Sequence, residues 1–412
     1  MINKEKFIII GDATDKSDEQ ALEIFKKSGI DTFVIYPNEQ DHYGAIERCE
    51  KAGLNVFIFG GSRVCDLNKH FFPNAIGDFP NFIEKYNKEK VDLNEYKALK
   101  GLYMIDEPGV FFFDKIKELY IPWFNQKYAG KKLWHVNMLP SYSPNELIGI
   151  NPTGDNGFEE YINRYTDEVL PKVEGEKTLG VDHYPLREKN GVPSLSDTWL
   201  YDLAIVGRAA KRAKAIYSVC IQAYCDVDQK KVDCTGDIRF QFYTAMAFGA
   251  SMFEFYAYST LHGTIAMLDK EGNPTDIYYS TRDAIREIRT FEKEYLECEW
   301  KGVKSYLPKD KTCKAFENVA SYLDKTINGV KDVQVSRETL ISEFEKQDGK
   351  KAYMVVNYGL PVLSSSNIVT ITFDKPSKIC VYQGGRKDDY GCTDKIDLFL
   401  EASQGAFVVI ED

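Results

Sequence analysis

The sequence predicts a (β/α)8 barrel followed by a small antiparallel β-sandwich. Three observations carry this. Eight short apolar runs alternate with helix-like segments over roughly the first 300 residues. After Trp300 the runs become β-branched and alternating, with Gly, Ser, Asn and Asp clusters between them. The chain has 412 residues, which suits one large domain plus one small one. The expected domains are 1–300 for the barrel and 301–412 for the sandwich.

The expected barrel strands are Phe7–Gly11, Thr32–Tyr36, Asn55–Gly60, Leu102–Ile105, Leu133–Asn137, Thr178–Asp182, Ile216–Ala223 and Ser251–Tyr256. Helical patterns fall at Asp18–Ser28, Tyr43–Ala52, Phe82–Lys97, Val110–Gln126, Phe158–Leu170, Leu200–Lys214, Ile238–Gly249 and Ile277–Leu296. Parallel strands need helical crossovers, and their continuous apolar character implies burial on both faces. A doubly wound open sheet is the competing architecture. Its phosphate turn is Gly-rich, whereas the first turn here reads GDATDKSDEQ. Sandwich strands are expected at Ala352–Tyr358, Asn367–Phe373, Lys378–Tyr382, Ile396–Leu400 and Ala406–Ile410. This second domain is expected to buttress the barrel or to bind glycan.

Composition narrows the partners. The net charge of −11 disfavours nucleic acid, anionic membrane surfaces and polyanionic substrates. Aromatic residues make up 13%, which suits either stacking on sugar faces or a large core. The opening MINKEKFIIIGD has a four-residue apolar run, too short for a signal h-region, and no stretch approaches a membrane span. The compartment stays open between the cytoplasm and a processed secreted or periplasmic form. Nine scattered cysteines read as mostly reduced, buried thiols. The histidines His42, His70, His135, His183 and His262 show no paired ligand spacing, so neither a metal nor another cofactor is expected.

Functional groups of such a barrel gather at the C-terminal ends of its strands. Those ends offer Asp12, Tyr36, Gly60-Gly61, Asp106-Glu107-Pro108, His135 and Asn137, Asp182-His183-Tyr184-Pro185, Gln222-Ala223-Tyr224, and Glu254 with Tyr256 and Tyr258. Carboxyls, amides and phenols are what glycosidic-bond cleavage needs: an acid for the leaving oxygen, a second group for the oxocarbenium-like centre, and partners for hydroxyls. In YMIDEP a strand runs into two adjacent acids, whose repulsion favours a raised pKa on one of them. Pro108 is expected to hold Glu107 extended. The bland alternative has Asp106 capping the helix near Val110 while Glu107 is solvated.

Asp182 reads as an inverting base or a group orienting a sugar hydroxyl, with His183 or Tyr184 as donors. Otherwise His183 is a satisfied structural histidine and Tyr184 a packing residue. Alternation places Met252, Glu254, Tyr256 and Tyr258 on one face, toward the lumen, and Phe253, Phe255 and Ala257 on the other. Glu254 is then a nucleophile or a lumen carboxyl hydrogen-bonded to His or Tyr. Trp134 reads as core, while Tyr142 and Trp199 sit where a sugar platform is expected. The loop Cys225–Asp237 holds Asp226, Asp228, Asp233 and Asp237, which suits a solvated acidic loop better than a hard-cation site.

The barrel with Asp106-Glu107-Pro108 ending its fourth strand resembles the large retaining glycosidase clan, whose pattern there is Asn–Glu, often followed by Pro. That resemblance implies Glu107 as acid/base. The chain departs from the clan in carrying Asp106 for Asn. It departs again at the seventh strand end, Ile221-Gln222-Ala223-Tyr224, which lacks the clan's nucleophilic Glu. The Asp–Glu pair also resembles substrate-assisted β-N-acetylhexosaminidases and β-N-acetylgalactosaminidases. There the substrate's acetamido oxygen is the nucleophile. This implies Glu107 as acid/base, Asp106 holding the acetamido N–H, and Tyr184, Tyr224 or Tyr256 donating to its oxygen. The pieces GLYMIDEP, LGVDHYPL, CIQAY and GASMFEFYAY, in order, are similar to uncharacterised bacterial proteins of the glycoside hydrolase class. The implied substrate is an oligosaccharide or glycoside. Three functions follow: a substrate-assisted glycosidase, a glycosidase pairing Glu107 with Asp182 or Glu254, and a non-catalytic carbohydrate-binding barrel.

Overall fold

The computed structural model describes residues 6–14, 16–36, 41–60, 92–150, 157–226, 232–261 and 263–412. Eight parallel strands close into a barrel: β1 (Ile8–Gly11), β2 (Thr32–Ile35), β3 (Asn55–Phe59), β4 (Leu99–Asp106), β5 (Leu133–Met138), β6 (Thr178–Val181), β7 (Ile216–Gln222) and β8 (Met252–Tyr256). Closure comes from β1 pairing with β8, with Ile10 opposite Glu254. The barrel and sandwich are thus as expected. Strand β4 starts three residues earlier than the sequence indicated. The last expected helix is two, Asp276–Arg289 and Glu292–Leu296. A hairpin, Leu186–Lys189 with Val192–Leu195, follows β6 and was not expected. Most of the helix expected at Phe82–Lys97 lies outside the described residues, as do Gly61, His70, Asp228 and His262.

The lumen is filled from below by Ile10, Val34, Phe57, Phe59, Leu133 and Met252, all buried. Residues of opposite parity, such as Ile9, Phe33, Val56, Ile58, Phe253 and Phe255, join the core between strands and helices. Both faces of each strand are therefore buried, which is why these runs read as continuously apolar.

Strand β4 breaks this alternation. Its register with β5 shifts between Tyr103 and Ile105, so Met104 and Ile105 both join the outer core. That bulge turns Asp106, rather than Ile105, toward the site. Gly60 accommodates the bulged strand: a Cβ there would sit 2.7 Å from the Met104 carbonyl oxygen.

The C-terminal sheet comprises β9 (Cys298–Tyr306), β10 (Val330–Val335), β11 (Thr339–Lys346), β12 (Lys351–Asn357), β13 (Asn367–Gln383), β14 (Arg386–Leu400) and β15 (Gly405–Ile410). Its order is β9–β11–β12–β15–β13–β10, with β14 paired to β13. Two strands expected at Asn367–Phe373 and Lys378–Tyr382 are one 17-residue strand whose register shifts between Thr372 and Ser377. Its first half pairs β10 and its second half β15, and this lets the sheet fold over its own core.

Period-two alternation makes β12 serve two cores. Ala352, Met354 and Val356 pack with the barrel helices, whereas Tyr353 and Val355 face the sandwich interior. Phe291 stacks on Phe407 at 5.4 Å, and Trp300 Nε1 donates to the Ala247 carbonyl at 3.0 Å. The sandwich packs directly on the barrel through this shared core.

Of the eight described cysteines, none is disulfide-bonded. Three are buried, four are half-buried and Cys392 is exposed, so burial is less general than expected. Among the described residues no helix is long and apolar enough to cross a membrane.

Candidate active site

At the C-terminal mouth of the barrel lies a cavity of about 230 Å³ lined by Asp12, Tyr103, Asp106, Glu107, Asn137, Asp182, Tyr184, Cys220, Glu254 and Tyr256. Each carboxyl arrives by a different local device. Asp12 directly follows β1; its amide donates to the Phe255 carbonyl at 3.0 Å, and the Tyr36 hydroxyl donates to its Oδ1. Asp106 ends β4 and is reached through the bulge. Glu107 has φ +53°, so it leaves the strand in the left-handed region. Pro108 therefore does not hold it extended, contrary to expectation. The turn is fixed elsewhere: the Glu107 amide donates to the Asn137 carbonyl at 2.9 Å, and the buried Tyr161 hydroxyl donates to the Pro108 carbonyl at 2.7 Å. Loss of strand geometry is what lets two adjacent acids face one cavity.

Beneath the acids runs a buried hydrogen-bonded chain. Asn137 Nδ2 donates to the Tyr103 hydroxyl and to Glu254 Oε2, each at 2.8 Å. Tyr103 donates to Asp106 Oδ1 at 2.6 Å. His135 Nε2 lies 3.0 Å from Glu254 Oε2, and its Nδ1 lies 2.8 Å from Thr178 Oγ1. Burial holds the His135 imidazole down at about 3, so it is neutral. The arrangement then requires Nε2–H to donate to Glu254 and Nδ1 to accept from Thr178. Burial, followed by the charges of Asp106, Glu254 and Asp12, pushes the Tyr103 phenol well above its ordinary value and keeps it a donor.

Gly180 leaves space for this chain. It is paired with Asn137, and a Cβ there would lie 2.1 Å from Asn137 Oδ1.

Three tyrosines form one wall. The Tyr184 and Tyr224 rings meet edge-on at 5.3 Å, and Tyr224 meets Tyr256 at 5.6 Å. Tyr184 contacts Cys220 Sγ at 3.6 Å. Burial, then the Asp182 charge, holds the Tyr184 phenol protonated. Tyr224 packs behind the other two and does not line the cavity.

Two other expected site residues also stand outside it. His183 is fully buried, with Nδ1 2.6 Å from Asp202 Oδ2 and Nε2 2.9 Å from Ser196 Oγ. Gln222 is fully buried; its Oε1 accepts from the Leu186 amide at 3.0 Å. Both brace the loop after β6. Trp199, expected as a loop platform, is instead buried at the start of helix Trp199–Ala213, with Nε1 donating to Thr244 at 3.0 Å. Tyr142 is 42% exposed and lies under the Arg187 guanidinium at 4.7 Å. Trp134 is core, as expected.

Alternation along β8 holds to Tyr256 and then reverses. Ala257 joins the tyrosine wall, and Tyr258 packs on Phe25 at 4.8 Å. Asp237 is engaged by the start of its own helix. Its Oδ2 accepts from the amides of Asp233 and Cys234 at the start of a helix, and burial raises its pKa. Among the described residues no group of side chains is arranged to hold a metal ion.

Sequence reasoning missed Tyr103 and Cys220. Register offered the signal for both: Cys220 is paired with Glu254, and Tyr103 with His135, so each shares the inward parity of its partner.

No family model matches the chain, and no curated protein matches it. Solved structures do. A catalytic mutant of a GH42 β-galactosidase from G. stearothermophilus is similar with a TM-score of 0.51 and 9% identity, covering 98% of each chain. A GH27 β-L-arabinopyranosidase from Geobacillus stearothermophilus, in complex with arabinose, gives 0.45 and 9%, covering 99% of this chain and 97% of that one. α-Galactosidase I from Mortierella vinacea gives 0.42 and 9%, covering 95% and 91%. The similarity to the GH42 structure shows a shared fold along nearly the whole chain: a (β/α)8 barrel followed by a β-sheet domain.

Proposed function

We propose that this chain is a glycoside hydrolase with Glu107 as its acid/base. One observation carries the reading: Asp12, Asp106, Glu107, Asp182 and Glu254, from four different barrel strands or strand ends, converge on one cavity at the barrel mouth. The fold is shared with a β-galactosidase, but such barrels host many chemistries, so the site bears the argument. Cleavage of a glycosidic bond needs a proton on the departing oxygen as the C–O bond breaks. Glu107, half-buried on its turn, supplies it and then takes a proton back from water. Asp106, held by Tyr103, orients the acetamido N–H of a 2-acetamido sugar. That sugar's own carbonyl oxygen attacks the anomeric carbon, with Tyr184 or Tyr256 donating to it.

A second reading pairs Glu107 with Asp182 or Glu254 as the other carboxyl. Its support is that both line the same cavity, and that Glu254 is anchored by two donors.

Turnover of aryl β-glycosides, with and without a 2-acetamido group, by wild type and Glu107→Gln separates these. Hydrolysis of acetamido sugars alone, lost in the variant, supports the substrate-assisted route. Hydrolysis of plain hexosides only moves the second role to Asp182 or Glu254. Sugar binding without any turnover, extended to oligosaccharides, would leave a non-catalytic carbohydrate-binding barrel and end the hydrolase reading.

A further inference from the structure

Five of the ten residues lining the cavity are carboxyls, and among the described residues no Lys, Arg or His lines it. Apart from Glu107, which carries the proton on the proposed function, a carboxyl here accepts hydrogen bonds when ionised and donates none. Two donors of the wall are committed within it: Tyr103 to Asp106, and Asn137 Nδ2 to Tyr103 and Glu254. Asn137, 1% exposed, also keeps its Oδ1 over Gly180 with no hydrogen-bond partner among the described residues. A ligand that satisfies this wall brings donors of its own.

The space is small, holding roughly eight waters at about 30 Å³ each, the scale of one sugar ring. As a cube it is roughly 6 Å across, less than the Debye length of about 8 Å, so salt does not screen one wall from a charge at the other. Arg187, beside Tyr142 at 4.7 Å, is a described cation of this loop and does not line the cavity.

We infer that the cavity selects a sugar ring bearing no acidic group, and that a free amine on the ring strengthens binding while a carboxylate in its place abolishes it. The ligand class is the neutral or amino sugar, not the uronic acid. This rests on the hydrolase reading only for the chemistry that follows binding.

Calorimetric titration of wild type at pH 7 with gluco- and galacto-configured sets tests it. Each set holds the hexose, the 2-amino-2-deoxyhexose and the uronic acid. The amino sugar is expected to bind at least tenfold tighter than the uronic acid in one set or both, with the hexose between. Asp12→Asn combined with Asp182→Asn should narrow that gap several-fold with the far-ultraviolet circular dichroism unchanged. A uronic acid that binds as tightly as its hexose, a gap the double variant leaves intact, or no binding in either set would each overturn the inference. Silence toward every glycoside with the binding order intact would instead sink the hydrolase reading and leave this one standing. Faster turnover of aryl glucuronides than of aryl hexosides would do the reverse.

Discussion

The lower and upper halves of the barrel lumen are built by the same strands and have opposite chemistry. Strand β8 gives Met252 below and Glu254 above, and β5 gives Leu133 below with His135 and Asn137 above. Strand β1 gives Ile10, and Asp12 follows two residues on. Two residues of strand, about 6–7 Å, separate a dry apolar plug from a carboxyl-lined cavity. The difference teaches where each property resides: the plug holds the barrel shut, and the upper layer is free to carry groups that would be costly in a core.

Breaking the upper half should cost activity and little stability. Glu107→Gln keeps the shape of a half-buried turn residue and removes its proton. On the proposed function, kcat with a good glycoside falls by about 10²–10⁴-fold, while the melting temperature moves by no more than a degree or two. A variant that melts well below wild type would place Glu107 in the structure rather than the chemistry.

The lower half should behave in the opposite way. Phe57 is fully buried in the plug, and its ring packs against His135 at 5.9 Å. Phe57→Ala is expected to destabilise by about 3–5 kcal/mol through lost burial and a residual cavity. The check is denaturant unfolding beside kcat of the folded fraction at low temperature. Loss of activity without loss of stability would erase the distinction between the two halves.

Much of this division was legible in the sequence, because alternation carries it. Met252, Glu254 and Tyr256 share a parity, and that parity is inward. Alternation failed where the backbone stops being a strand. The bulge at Met104 and Ile105 puts Asp106 inside by a route no periodicity records. The positive φ of Glu107 does so again, although a proline follows it. His183 and Gln222 sit at strand ends, the one feature by which the sequence points to site residues. Yet a strand-end polar residue is equally well used to brace a loop, and only its partners, Asp202 and the Leu186 amide, distinguish the two uses. In the sandwich, β9, β10 and β11 interrupt their short apolar stretches with charged residues, such as Glu299 and Lys301, Lys331 and Asp332, or Glu343 and Glu345, so no long apolar run marks them in the sequence.

Sharpening the boundary needs a change that touches only the join between the halves. Gly180→Ala adds one methyl that would sit 2.1 Å from Asn137 Oδ1. Asn137 must move, and with it the bonds to Tyr103 and Glu254. The expected cost is about 1–3 kcal/mol of stability. A fall in kcat should accompany it, larger than that of any equally destabilising substitution in the plug. A variant whose loss of activity is explained by loss of fold alone would show that the Asn137 chain does not position the acids.

The effect that builds up most gradually is a pH slope, and it comes from the residue at the boundary itself. His135 is neutral in the fold, with its imidazole held near 3, against about 6.5 in an unfolded chain. The folded state therefore binds this proton more weakly than the unfolded state does. Stability from the neutral imidazole is fully present above about pH 6.5 and drains away as pH falls toward 3. Within that window each pH unit costs up to about 1.4 kcal/mol from this one group. Melting temperature measured between pH 7 and pH 4 should fall for wild type and fall less steeply for His135→Asn, even though the variant starts from a lower value. Equal slopes would mean that carboxyl protonation alone governs acid unfolding. They would also mean that Glu254 is not held by a neutral imidazole, since a protonated His135 beside it would relieve the acid sensitivity in the same way the variant does.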